Sequence, residues 1–148
     1  MADSAGQITA LVYRYCELFD TGRFDEFAAQ FEHGQWHKAG LGAAAARRWI
    51  DDHVHVHDGL PRTKHVTTNL TVDVDEDAGT ATARSYVTVL QALPDFPLQP
   101  IFAGRYRDRF TLVDGCWRWT RREVIGDLYG DVSHHVRDHA GPGAGGAG

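Results

Sequence analysis

Residues 65–90 read HVTTNLTVDVDEDAGTATARSYVTVL, and the period of two in that stretch decides the fold. Val, Thr, Leu and Tyr alternate through HVTTNLTVDVD (65–75) and TATARSYVTVL (80–90), which predicts two half-buried strands. The segment Asp75–Gly79 between them suits a hairpin loop. Downstream, IFAGRYRDRFTLV (101–113) and CWRWTRREVI (116–125) repeat the pattern across a second hairpin loop at Asp114-Gly115. Between the two hairpins, ALPDFPLQP (92–100) reads as a longer, proline-broken connection.

Upstream of His65 the period is that of a helix. In QITALVYRYCELFD (7–20), Ile8, Leu11, Val12, Tyr15 and Leu18 or Phe19 recur every three or four residues, and Thr21-Gly22 marks a C-cap. A second helix over about 24–31 buries Phe24, Phe27, Ala28 and Phe31, and stops at His33-Gly34. AAAARRWIDDHVHV (43–56) predicts a third, with Ala46, Ile50 and Val54 on one face and an end between Asp52 and His57. Helices first and an antiparallel meander afterwards define an α+β class, with the helices covering one sheet face. Residues 1–132 are expected to form one domain. Residues 133–148 form a flexible glycine-rich tail, ending AGPGAGGAG.

Composition narrows the function. The chain has 148 residues, 43% hydrophobic and 24% charged, with a formal charge of -5. An acidic balance argues against a non-specific nucleic-acid binder. Two cysteines, Cys16 and Cys116, are too few for a disulfide scaffold and lack metal-ligand spacing. No apolar run is long enough to span a membrane, and MADSAGQ carries no basic segment to open a signal peptide. A cytoplasmic enzyme or small-molecule-binding domain is the expectation.

Several side chains stand out as chemistry. Asp20 places a negative charge at a helix C-terminus, where charge of that sign is disfavoured and needs a partner. It serves either as a turn-binding carboxylate or as a site residue. His65 opens the first long strand. A histidine whose one nitrogen is held by a carboxylate has a fixed tautomer and a free acceptor on the other, which makes a general base. Strict alternation groups His65 with Thr67, Asn69 and Thr71, opposite Val66, Leu70 and Val72, so His65 faces the wetter side unless a bulge or strong curvature re-aims it. Tyr15, about 140° around the helix from Asp20, either lines a cavity with it or sits in the core. His53 and His57 share a helix spacing that metals use, but no third ligand is evident and surface or structural roles are favoured. Arg105, Arg107 and Arg109 alternate on one side of their strand, opposite Phe102, Tyr106 and Phe110, as a solvated row. Among Arg118, Arg121 and Arg122, one that pointed inward would need an anionic partner.

Taken together, ITALVYRYCELFDTGRFDEFAAQF, RTKHVTTNLTVDVD, ARSYVTVL, GRYRDRF and DGCWRWTRREV resemble the SnoaL-like branch of the NTF2-like superfamily. Within it, the subgroup of scytalone dehydratase, bile-acid dehydratase and hexachlorocyclohexane dehydrochlorinase is most similar. The resemblance covers about residues 7–125 and implies a cone-shaped α+β barrel, a curved antiparallel sheet closed by three N-terminal helices around an apolar pocket. It implies that Asp20 and His65 form a catalytic pair, that Tyr15 lines the site, and that Arg122 faces a leaving group. Where relatives carry a second catalytic histidine or an aspartate, this chain offers only Ser85, Tyr86 and Thr88. The expected function is a cofactor-independent lyase or isomerase that abstracts a proton from a small apolar or aromatic substrate, dehydratase-like elimination first. The alternatives are a polyketide-cyclase-like enzyme, or a non-catalytic protein for hydrophobic ligand binding or assembly. No cofactor or metal is expected, nor a nucleic-acid or membrane partner; the chain is expected to form a homodimer or homotrimer.

Overall fold

The computed structural model describes residues 3–137. Three helices precede the long strands: α1 (Ser4–Asp20), α2 (Phe24–Ala29) and α3 (Ala43–His53), with a short strand β1 (Gln35–Trp36) between the second and third. Then come β2 (Thr63–Asp75), β3 (Thr80–Leu93), β4 (Phe96–Val113) and β5 (Cys116–Tyr129). Among the described residues, no helix is long and apolar enough to cross a membrane.

Asp3 caps α1 by accepting the Gly6 N–H at 2.7 Å, which satisfies one of the first-turn donors that a helix leaves open. The helix buries Ile8, Val12, Tyr15, Cys16, Leu18 and Phe19 and packs along β2. Its end is fixed by Gly22, at φ +75°, where an added Cβ would stand 2.6 Å from the Gly59 carbonyl oxygen. Only glycine meets both demands, and the turn there redirects the chain from α1 into α2.

The strand order is β1-β5-β4-β3-β2. The β2–β5 meander is antiparallel, while β1 runs parallel to β5. The two edge strands do not pair with each other, so the sheet is open. This corrects the expectation of a cone-shaped closed barrel: closure requires the first and last strands to bond, and here one flank ends on the two-residue β1. The expected proline-broken connection is also mostly strand. Pro97 and Pro100 lie on β4 ahead of Phe102, where pairing with β5 begins, so their missing N–H groups interrupt no ladder on that side.

Two bulges govern which side chains face the helices. In β2 the register shifts between Thr68 and Thr71, with Asn69 in the left-handed region at φ 54°. His65 therefore faces inward with Thr63 ahead of the bulge, while Leu70, Val72 and Val74 take the inward positions after it. In β5 the register shifts opposite Arg109 and Phe110. Trp117 and Trp119 are buried before that shift, and Arg122 and Val124 after it.

Beyond β5 the chain folds back across α3. Val54 bridges to Val136, His55 N–H donates to the His135 carbonyl at 2.9 Å, and Arg137 N–H donates to the His53 carbonyl at 2.7 Å. Residues 133–137, the head of the expected tail, belong to this strap; the rest of that tail lies outside the described residues.

Candidate functional site

Asp20 and His65 meet. The Asp20 carboxylate accepts three hydrogen bonds: Thr63 Oγ1–H at 2.8 Å and His65 Nδ1–H at 2.6 Å on Oδ1, and the His65 backbone N–H at 2.7 Å on Oδ2. Burial pulls its pKa upward, but the His65 and Thr63 hydrogen bonds and the His65 charge outweigh this and hold Asp20 below its ordinary value. The acid that α1 leaves exposed to its own negative dipole end is thus compensated by one strand terminus. With the carboxylate ionised, Nδ1 carries the ring proton and the lone pair falls on Nε2. His65 Nε2 is buried and has no hydrogen-bond partner. Its ring is walled by Phe19, His135 and Tyr15, at centroid separations of 5.0, 6.1 and 6.4 Å.

Tyr15 is fully buried on the inward side of α1. Its hydroxyl accepts the Trp36 indole N–H at 3.0 Å and is hydrogen-bonded to Tyr106. Burial pushes its pKa up to about 12, against the pull of Arg122, so the phenol stays protonated at neutral pH. Arg122 lies on the Tyr15 ring, Cζ 4.3 Å from the centroid, and closer still to Tyr106, at 3.6 Å. Two of its nitrogens form a fork with Asp108, at 2.7 and 2.8 Å, and both side chains are wholly buried. Nη1 of Arg122 and the hydroxyl of Ser85 are buried without a hydrogen-bond partner.

The four residues singled out in the sequence therefore form a chain of contacts rather than one ring. Asp20 holds His65, Tyr15 stands beside His65, and Arg122 stands behind Tyr15. Asp108 was not anticipated, yet a signal existed: in GRYRDRF it shares the register of Tyr106 and Phe110, the expected inward face. Thr63, two residues before His65 on β2, shares its face by alternation, whereas His135 carries no such signal, because it is placed by the strap. The other histidines diverge. His53 stacks on Trp49 at 4.5 Å, and the His57 ring reaches the His134 carbonyl at 2.9 Å. Among the described residues, no group of three or more His, Cys, Asp or Glu is placed to hold a metal ion.

Open cavities lie elsewhere. Recesses of about 610, 390 and 790 Å³ sit on the sheet face turned away from the helices. Another of about 610 Å³ lies between Arg62, Asp95 and His134. None of these is lined by Asp20 or His65.

An α+β fold of three helices on one face of a meander, with a buried carboxylate–histidine pair between helix and sheet, points to a small-molecule-binding or catalytic class of domain. The chain belongs to the SnoaL-like domain family, whose model matches residues 1–123, and so to the NTF2-like superfamily. A variant of Rv3472, a protein of unknown function from Mycobacterium tuberculosis, is 31% identical over 82% of this chain and 70% of its own, with a TM-score of 0.69. An NTF2-like protein with a cystatin-like fold from Novosphingobium aromaticivorans is 24% identical over 88% of this chain and 85% of its own, at TM-score 0.68. A protein from the same organism, named as a candidate scytalone dehydratase, is 23% identical over 84% of each chain, at TM-score 0.65. The last two likenesses concern the fold. No curated protein matches the chain.

Proposed function

We propose that the chain is a cofactor-independent lyase or isomerase that removes a proton from carbon in a small apolar or aromatic substrate. The observation that carries this reading is the His65 ring, fixed by Asp20 at Nδ1 and uncommitted at Nε2. Nε2 accepts the proton, and the C–H electron pair forms a carbon–carbon double bond or an enolate. In an elimination the leaving hydroxide departs with its bonding pair and is protonated by Tyr15. Arg122, packed on the Tyr15 ring, offsets the negative charge that grows there. Elimination ranks first because the segments around Asp20 and His65 resemble those of the dehydratases.

A second reading, ligand binding or assembly without chemistry, is favoured by the open cavities being lined by other residues. The two separate in one experiment: exchange of the α-proton of a small aromatic ketone with deuterated water, followed by NMR. Catalysis predicts exchange by the wild type and a loss of about 10²–10⁴ in rate in His65→Ala, the range for a positioned acid–base group. Equal rates in the two proteins would give the lead to the binding reading. As the assembled form we propose a homodimer or homotrimer joined through the outer sheet face. There Val66, Thr88, Ala103 and Leu128 lie in one cross-strand row, with Tyr86 half exposed beside it.

A further inference from the structure

The outer sheet face carries an arrangement of charge that the interior site does not explain. Arg84 of β3 lies directly opposite Arg107 of β4, and Arg109 of β4 directly opposite Arg121 of β5. Like charges facing across a ladder destabilise it. Acids near enough to relieve them are not used: among the described residues, Arg84, Arg107 and Arg109 make no hydrogen bond or ion pair. Arg121 gives one N–H to the His37 carbonyl, at 2.6 Å. Arg105, on the same face, shows what a relieved arginine looks like, with two bonds of 2.9 Å to Asp127. The four guanidiniums, none of them in an ion pair among the described residues, surround a recess of about 790 Å³; its carboxylates are Asp73, the half-buried Glu123 directly opposite Arg107, and Asp108, which is already taken by Arg122. Four cations against two anions make this a positive patch on a chain of net charge -5.

We propose that this recess binds a small organic polyanion bearing at least two phosphate or carboxylate groups. The recess falls in the size range of small-molecule sites. Guanidinium forks match such oxyanions bidentately. Strand geometry sets the spacing: residues two apart on a strand are about 7 Å apart and neighbouring strands about 5 Å. The four arginines thus form a compact grid suited to two or three linked oxyanions rather than to an extended chain. This site is separate from His65, on the other side of the sheet.

Calorimetric titration of the full chain with pyrophosphate, and in parallel with citrate, at low ionic strength tests the proposal. Saturable binding to at least one is expected, and the tighter of the two tells phosphate from carboxylate recognition. Arg107→Ala and Arg109→Ala should each weaken it by about tenfold or more, the scale of a lost charge-assisted hydrogen bond. His65→Ala should bind as the wild type does. Circular dichroism establishes that the variants are folded. Absence of saturable binding of either probe up to about 10 mM, weaker than any specific site of this charge, would overturn the proposal. So would unchanged affinity in an Arg107→Ala/Arg109→Ala double variant. Light scattering that shows a second copy covering the recess, released by that double variant, would assign the arginines to assembly instead.

Discussion

Asp20 is an acceptor on every side it presents to the protein, and that limits what can replace it. An amide at this position turns one oxygen into an NH2 facing the Thr63 hydroxyl or the N–H groups of His65. Asp20→Asn is therefore expected to cost about 1–3 kcal/mol, the scale of a buried polar group left unsatisfied, measured by urea unfolding. Two residues also give separate acid sensitivities. Burial, with Lys38 and Arg121 nearby, pushes His37 from 6.5 down to about 4. The folded state therefore binds fewer protons than the unfolded chain between these values. Its contribution is intact above 6.5 and is lost as pH falls toward 4. Asp20, held below its ordinary 3.8, contributes above 3.8 and is lost as pH falls through its lower folded value. Melting temperature measured against pH should decline in both windows. His37→Asn, which tolerates the φ of 50° there, should flatten only the upper one. The buried fork gives a third test. Arg122→Leu strands Asp108 and should cost about 3–5 kcal/mol, whereas Arg122→Leu/Asp108→Leu should recover most of it. Asp20 and His65 were legible because each sits at an element boundary in a recognisable segment. Asp108 was hidden among arginines, where an acid reads as a surface neighbour.

At the scale of elements, the bulges decide whether polar residues can share a face with apolar ones. Plain alternation would give either His65 or the Leu70–Val74 row to the interior; the extra residue at Thr68–Thr71 gives both. The bulge depends on a residue that accepts positive φ. Asn69→Val should cost about 1–3 kcal/mol, as strained backbone does, while Asn69→Gly should be nearly neutral; chemical denaturation compares them. In β5 the same device turns Arg122 toward Asp108 and leaves Arg121 outside. The strands themselves were plain from their period, but bulges were not, because one inserted residue leaves no local compositional mark. The two-residue β1 was invisible for a related reason: it is defined only by the neighbour it pairs with, β5.

For the whole molecule, the feature least legible in the sequence is that the sheet stays open. Closure belongs to the relation between first and last strands, and no single segment encodes it. The α+β class, by contrast, follows from local periods and was readable throughout. The outer face divides into an apolar row near the His65 end and the arginine grid beyond it. If the apolar row joins copies, Leu128→Arg, at a residue 69% exposed, should convert a dimer or trimer to a monomer by light scattering without lowering the melting temperature of the isolated subunit. A wild-type chain that is monomeric at micromolar concentration would remove the row from assembly.

The indole of Trp36 is tied to the Tyr15 hydroxyl, and Trp119 lies against the same ring at 5.9 Å. Tyr15 in turn stands beside His65. Two of the four tryptophans are therefore separated from the candidate base by one residue, Tyr15, so the molecule carries its own optical reporter. Any guest that shifts Tyr15 alters the polarity around Trp36 and with it the colour and yield of its emission. Occupancy can be followed by fluorescence without a label, and Trp36→Phe separates the Trp36 response from that of the remaining tryptophans.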